Sequence, residues 1–160
     1  MSRSRWTGRA AWLPVLVLAL VTAGCGLPRD VDGTLDRVRG GALRAGVTDN
    51  PPWTEAGDGE PAGAEVELVE RFADGLGARV EWRRGSESAL MTALGNGELD
   101  VVVGGFEEQS PWVEHASLTL PYVDGHVWAL PLGENAWQVE VERFLLALPD
   151  EEVDRLPERP

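Results

Sequence analysis

The chain has 160 residues, 43% of them apolar, and carries 27 acidic against 14 basic side chains, a formal charge of −13. That length fits one domain with a single modest core, and so acidic a chain excludes nucleic acid, or charge-driven adhesion to anionic lipid, as its partner. The single cysteine, Cys25, has no second thiol for an internal disulfide.

The first elements read as an export signal. Arg3, Arg5 and Arg9 form a basic start, residues 10–22 an apolar run, and Ala23-Gly24-Cys25 a small-residue end. That is the layout of a secretory signal over residues 1–24. The run is short of the roughly 20 residues a membrane span needs, which weighs against the alternative of an N-terminal membrane anchor. LVTAGC resembles the bacterial lipobox, with Thr22 departing from the usual leucine. The resemblance implies that Cys25 is lipidated and tethers the chain to the outer face of the cytoplasmic membrane.

Residues 25–33 read as a tether, and 34–160 as one folded unit. One or two helical turns are expected over 34–39, then a strand over 42–48 that Asp49-Asn50-Pro51-Pro52 ends, since two prolines forbid its continuation. After a polar loop, residues 65–76 carry Val66, Val69, Phe72, Ala73 and Leu76 at helical spacing, with Glu65, Glu67 and Glu70 placed to suit the helix dipole and Gly77 as a stop. A short strand follows over 79–83. A second helix spans 87–94, capped by Ser86, with Leu90, Met91 and Leu94 inward. The β-branched run over 99–104 suits a buried parallel strand. Strand and helix alternate up to this point, which argues for an α/β fold with a mostly parallel sheet and flanking helices. Beyond lie a strand over 125–132, a helix over 135–148 with Trp137, Val141, Phe144, Leu145 and Leu148 on one face, and a short polar helix or fray over 150–156.

Four stretches taken together, LRAGVTDNPPW (43–53), GAEVELVERFADGLGARVEW (63–82), ALMTALGNGELDVVVGG (89–105) and SLTLPYV (117–123), resemble the first lobe of the bacterial extracellular solute-binding proteins, family 3. The resemblance implies one lobe of the periplasmic-binding-protein type II fold. It also implies a two-lobed clamp that delivers polar amino acids to an ABC transporter. HVWALPLGENAWQVEVERFL (126–145) resembles the family's return strand and closing helix, so the second lobe is read as absent between about Asp124 and His126.

The resemblance places a ligand site at the strand ends: Asp49, Asn50, Trp53, Gly104, Gly105, Phe106, Glu107, Trp112 and Tyr122. In the family, a Thr or Ser follows the strand-end glycine, and an arginine five residues later forks onto the ligand's carboxylate. Here Glu107 takes the hydroxyl's place and Trp112 the arginine's, and Asn50 stands where a stacking aromatic is usual. Trp53 aligns with an aromatic that more often packs into the core. Three readings of Glu107, Glu108 and Trp112 stand open. The glutamates are solvated turn charges, with Ser110-Pro111-Trp112 starting a helix and the indole covering the core. Or the rim selects a cation by carboxylate charge and a cation–π face. Or it contacts a protein partner.

The expected function is a membrane-anchored extracytoplasmic solute-binding lipoprotein tied to a transport system, with amino-acid binding altered or lost. The alternative is a non-transporting envelope module that docks on a membrane protein. Its partners would be a small polar or cationic solute and a membrane transporter subunit. His115 and His126 stand apart from any metal-ligand spacing, and no nucleophile elbow or phosphate loop is present. No enzyme activity, metal or cofactor is therefore expected.

Overall fold

The computed structural model describes residues 29–153 and 156. The signal segment (1–24), Cys25 and the first part of the expected tether lie outside the described residues. Among those described, no helix is long and apolar enough to cross a membrane.

The elements follow in the order α1 (Thr34–Val38), β1 (Ala42–Val47), α2 (Ala64–Gly75), β2 (Arg79–Arg84), α3 (Glu87–Gly95) and β3 (Val101–Glu107). A 3-10 turn (Pro111–Glu114), β4 (Ser117–Leu118), β5 (His126–Leu130), α4 (Asn135–Leu145) and α5 (Asp150–Val153) complete it. The strands form one sheet in the order β2-β1-β3-β5-β4. β1 pairs in parallel with both β2 and β3, whereas β5 runs antiparallel to β3 and β4.

Period-two alternation sends the two faces of the sheet into separate cores. Leu43, Ala45, Val47, Val101, Val103, Trp128 and Leu130 pack with α2 and α4, around Val69, Phe72, Trp137, Val141 and Leu145. Val102, Phe106, Val127 and Ala129 turn the other way, onto Leu90, Met91 and Leu94 of α3. The result is a three-layer α/β/α unit. Both faces of β3 and β5 are covered, which is why these strands read as continuous apolar runs.

The structure departs from the sequence reading in four places. β3 does not stop at Gly104; it continues to Glu107 because β5 pairs alongside it, with an irregular register between Val102 and Phe106. The helix after Ser110 is a single 3-10 turn, capped as expected by the Ser110 hydroxyl, which accepts from Trp112 N at 3.4 Å. α4 ends at Leu145, and Leu148 is buried beyond it. β4 was not foreseen, since two residues leave no periodicity to read.

The end of the expected tether is clasped to the fold. Asp30 accepts from Leu35 N and from Trp137 N, both at 2.9 Å, and so serves the first turns of α1 and α4 together. Glu134 answers from the other side, accepting from Asp32 N at 2.7 Å and Thr34 N at 2.9 Å. Carboxylates at helix starts satisfy N–H groups that have no partner within the helix.

Candidate functional site

β1 and β3 lie side by side; the connection after β1 runs to β2 on one side, and the connection after β3 runs to β4 and β5 on the other. In open α/β sheets the crevice at such a switch point, beyond the C-terminal strand ends, is where ligands bind. Here it is bounded by Thr48, Asp49 and Asn50 after β1 and by Gly104 to Glu107 in β3.

The segment after β1 is a tight, self-bonded turn. Asn50 N donates to Thr54 O at 2.9 Å, Thr54 N returns a bond to Asn50 O at 3.1 Å, and Thr54 Oγ1 donates to Thr48 O at 2.7 Å. Asp49 accepts from Ala56 N at 2.9 Å. Asn50 Nδ2 then donates to Gly104 O at 2.8 Å and ties the two strand ends together. This close approach requires the glycines. Gly105 has φ 63°, and a Cβ there would lie 2.5 Å from Asn50 Nδ2 and 2.9 Å from Trp53 Cδ1.

Beneath the turn lies a carboxylate. Glu65, in the first turn of α2, has no exposed surface. Its Oε2 accepts from Gly104 N at 2.8 Å and Gly105 N at 2.7 Å, and its Oε1 accepts from Tyr122 Oη at 2.7 Å. Burial drives its pKa up to about 7, against the opposing pull of these donors. Burial and the neighbouring Glu65 charge also push the Tyr122 phenol well above its ordinary value. Sequence reading gave Glu65 only a dipole role; the structure turns it inward to hold the strand-end turn.

The expected site residues divide into three groups. Asp49, Asn50, Gly104, Gly105 and the exposed Glu107 lie on the strand ends. Phe106 and Tyr122 are buried, Phe106 in the α3-side core and Tyr122 against Glu65. Trp53 is half-buried and lies over His126, ring centroids 3.8 Å apart, so it fills space between the turn and β5. His126 is itself buried, with Nδ1 3.2 Å from Val123 O. Trp112 packs on the α3-side core while its Nε1 donates to Glu87 Oε2 at 3.1 Å, and His115 meets its ring edge-on. Glu87, like Glu65, was missed. Exposed Asp49 and Glu107 lie in the bounding segments, and exposed Glu108 and Asp124 lie in the adjoining turns, which Glu108 N joins by donating to Gly125 O at 3.0 Å.

Between Tyr122 and His126 the chain reverses at once. Asp124 and Gly125 both have positive φ, 44° and 82°, as a two-residue hairpin turn needs. Tyr122 N donates to His126 O at 3.1 Å, and His126 N to Val123 O at 2.7 Å.

Fold and crevice together define an α/β domain of the periplasmic-binding-protein type. The family model of the bacterial extracellular solute-binding proteins, family 3, matches residues 43–152, and the chain belongs to that family. Among solved structures, domain 1 of TmArgBP in its arginine-bound form superposes with a TM-score of 0.64 at 20% identity, over 71% of this chain and 98% of that one. This likeness concerns the fold alone. Curated relatives include the membrane-bound lytic murein transglycosylase F of Vibrio cholerae serotype O1, 36% identical over 102 residues, which is 62% of this chain and 19% of that protein. The transglycosylase F of Photobacterium profundum is 32% identical over 109 residues, 67% of this chain and 21% of that protein. The chain thus spans about a fifth of the length of the curated relatives it matches. The expectation of no enzyme activity is corrected by these names, which are those of an enzyme, a lytic murein transglycosylase, although the match covers only about a fifth of it. Motif reading had no access to it, because the shared residues are those of the solute-binding lobe.

Proposed function

We propose that this chain is a single solute-recognition lobe on the extracytoplasmic side of the cell envelope, anchored by lipid on Cys25. The observation that carries the reading is the turn at Gly104–Gly105. Its backbone is held at the switch point by Asn50 from one side and Glu65 from beneath, in a chain whose family binds solutes there. The Asp124–Gly125 hairpin stands where the family's second lobe would leave the first, and supports the single-lobe reading. Ligand pockets usually bury 70–90% of a small ligand; one lobe supplies half a cleft, so occupancy is weak unless a second surface closes over it.

The solute class follows from the rim. Without an arginine fork, and with Glu107 in the hydroxyl's place, a ligand carboxylate meets repulsion; a cation meets carboxylates. Calorimetry on the full chain, with glutamate, glutamine and spermidine in turn, tests this. Heat from spermidine and none from the amino acids is expected; tight binding of glutamate or glutamine would sink the reading. Fatty-acid labelling of the exported chain checks the anchor, and an unlabelled chain refutes it.

The curated relatives favour a second reading over a transport role. The lobe serves murein cleavage, as part of a lytic enzyme or beside one, and recognises a fragment of that polymer. Soluble murein fragments added to the same calorimetric series decide between them, with binding of a fragment but no polyamine supporting this second reading.

A further inference from the structure

We infer that Glu65 is the positioning residue of the rim: its carboxylate fixes the Gly104–Gly105 turn, and protonation slackens that turn, so that solute occupancy is coupled to proton binding. The last step rests on the solute-binding reading above; the first two do not.

The geometry is that of a carboxylate held only by donors. Two backbone N–H groups reach one oxygen and the Tyr122 hydroxyl reaches the other. Bonds to an ionised acceptor are roughly twice as strong as neutral ones. Adding a proton weakens both glycine bonds, and it sets a new O–H against the Tyr122 O–H, so that one of the two must turn away. Among the described residues, no cation hydrogen-bonds to the carboxylate to compensate. The groups facing the carboxylate are the glycine backbone of β3 and, from the segment before β5, Tyr122. His126 of β5 stacks on Trp53, whose carbonyl oxygen accepts the Glu65 N–H at 2.9 Å. Glu107, the charged residue of β3, is exposed and pairs with His126 of β5. With burial raising the carboxyl to about 7, the change falls within the range an envelope protein meets.

The turn is also where slack would tell. Gly104 O is the acceptor for Asn50 Nδ2, so the peptide that Glu65 holds from below is the one that joins the ends of β1 and β3. A shift there moves Asn50 and the backbone beside Glu107 together.

The test follows the glycine amides of the ¹⁵N-labelled full chain in detergent micelles by NMR, from pH 5 to pH 9 and without solute. Gly104 and Gly105 should move together, with a midpoint near 7 and in the direction of weaker hydrogen bonds as pH falls. Glu65→Gln should abolish the titration, and Tyr122→Phe, which removes one donor to the carboxylate, should raise its midpoint. Flat glycine amides in the wild type, or a titration that survives Glu65→Gln, overturn the positioning role whatever the rim binds; the wild-type series needs no variant to fold. Coupling is read separately, as spermidine affinity about fivefold weaker at pH 6 than at pH 8, a modest linkage. Equal affinity at the two pH values overturns the coupling. A titrating turn with no solute heat at all overturns the solute reading and leaves the role of Glu65 in the turn standing.

Discussion

Asp100 and Glu65, two of the buried carboxylates among the described residues, differ by the company they keep. Asp100, at the entry to β3, has no exposed surface and accepts from Arg37 Nη1 and Nη2, from Arg44 Nε and Nη2, and from Arg44 N. Burial pushes its carboxyl up, but the hydrogen bonds from the two guanidinium groups outweigh that and hold it below the usual carboxylate range. Glu65 has neutral donors only, and burial wins. Asp100→Asn keeps the shape and loses the charge-assisted share of those bonds, worth roughly 1.5–3 kcal/mol. The side chains of Arg37 and Arg44 keep 40% and 31% of their surface exposed, so water can take them over. The loss should stay under the roughly 3–5 kcal/mol of a stranded buried charge. Urea denaturation should show a lower midpoint at unchanged slope; an unchanged midpoint would show that the arginines contribute nothing there.

At the scale of elements, α2 contributes Ala64, Val66, Leu68, Val69, Phe72 and Ala73 to the larger core. Phe72 is buried among Trp137 and Phe144, ring centroids 5.3 Å from each, and Trp128 at 6.4 Å. Phe72→Ala should cost about 3–5 kcal/mol, since rings that pack against one another cannot collapse into the space. A melting temperature equal to the wild type's would show that this face of α2 does not pack as described. The face was legible because Val66, Val69, Phe72 and Ala73 keep the helical period. The same period held a signal that went unused. Glu65 lies three, four and seven residues before Leu68, Val69 and Phe72, so it continues the apolar stripe with a carboxylate. A charge in line with a buried stripe has to find donors inside the protein, and Glu65 finds them on Gly104, Gly105 and Tyr122. Asp100 was readable in the same way, as a charge entering a run of valines. Which donors each would meet was not, because Gly104 is 39 residues from Glu65 and Arg37 is 63 from Asp100. The bond from Trp112 to Glu87 across 25 residues and the brief β4 escaped for the same reason: neither leaves a local pattern.

For the whole molecule, these carboxylates set opposite slopes of stability against pH. Asp100 and Glu134 have their carboxyls held below the ordinary range: in both, hydrogen bonds from arginines or backbone N–H groups outweigh burial. Their contribution is present above the usual carboxylate range and is lost as pH falls through their lowered values. Glu65 works the other way. Its folded pKa of about 7 lies above the ordinary 4.5, so the folded state keeps a proton that the unfolded chain has released. That contribution is full below 4.5 and fades as pH rises through 7, a swing of about 3 kcal/mol at 1.36 kcal/mol per pH unit. The formal charge of −13 adds self-repulsion in the same direction as pH rises, so the wild-type profile alone does not isolate the group. The difference between wild type and Glu65→Gln does, because the amide leaves every other carboxylate in place. Measured by thermal unfolding at pH 5 and pH 8, the wild type should lose stability relative to the variant on going to the higher pH. A gap between the two proteins that stays constant over this interval would mean that Glu65 is ionised throughout, and that the Gly104, Gly105 and Tyr122 donors fully offset its burial.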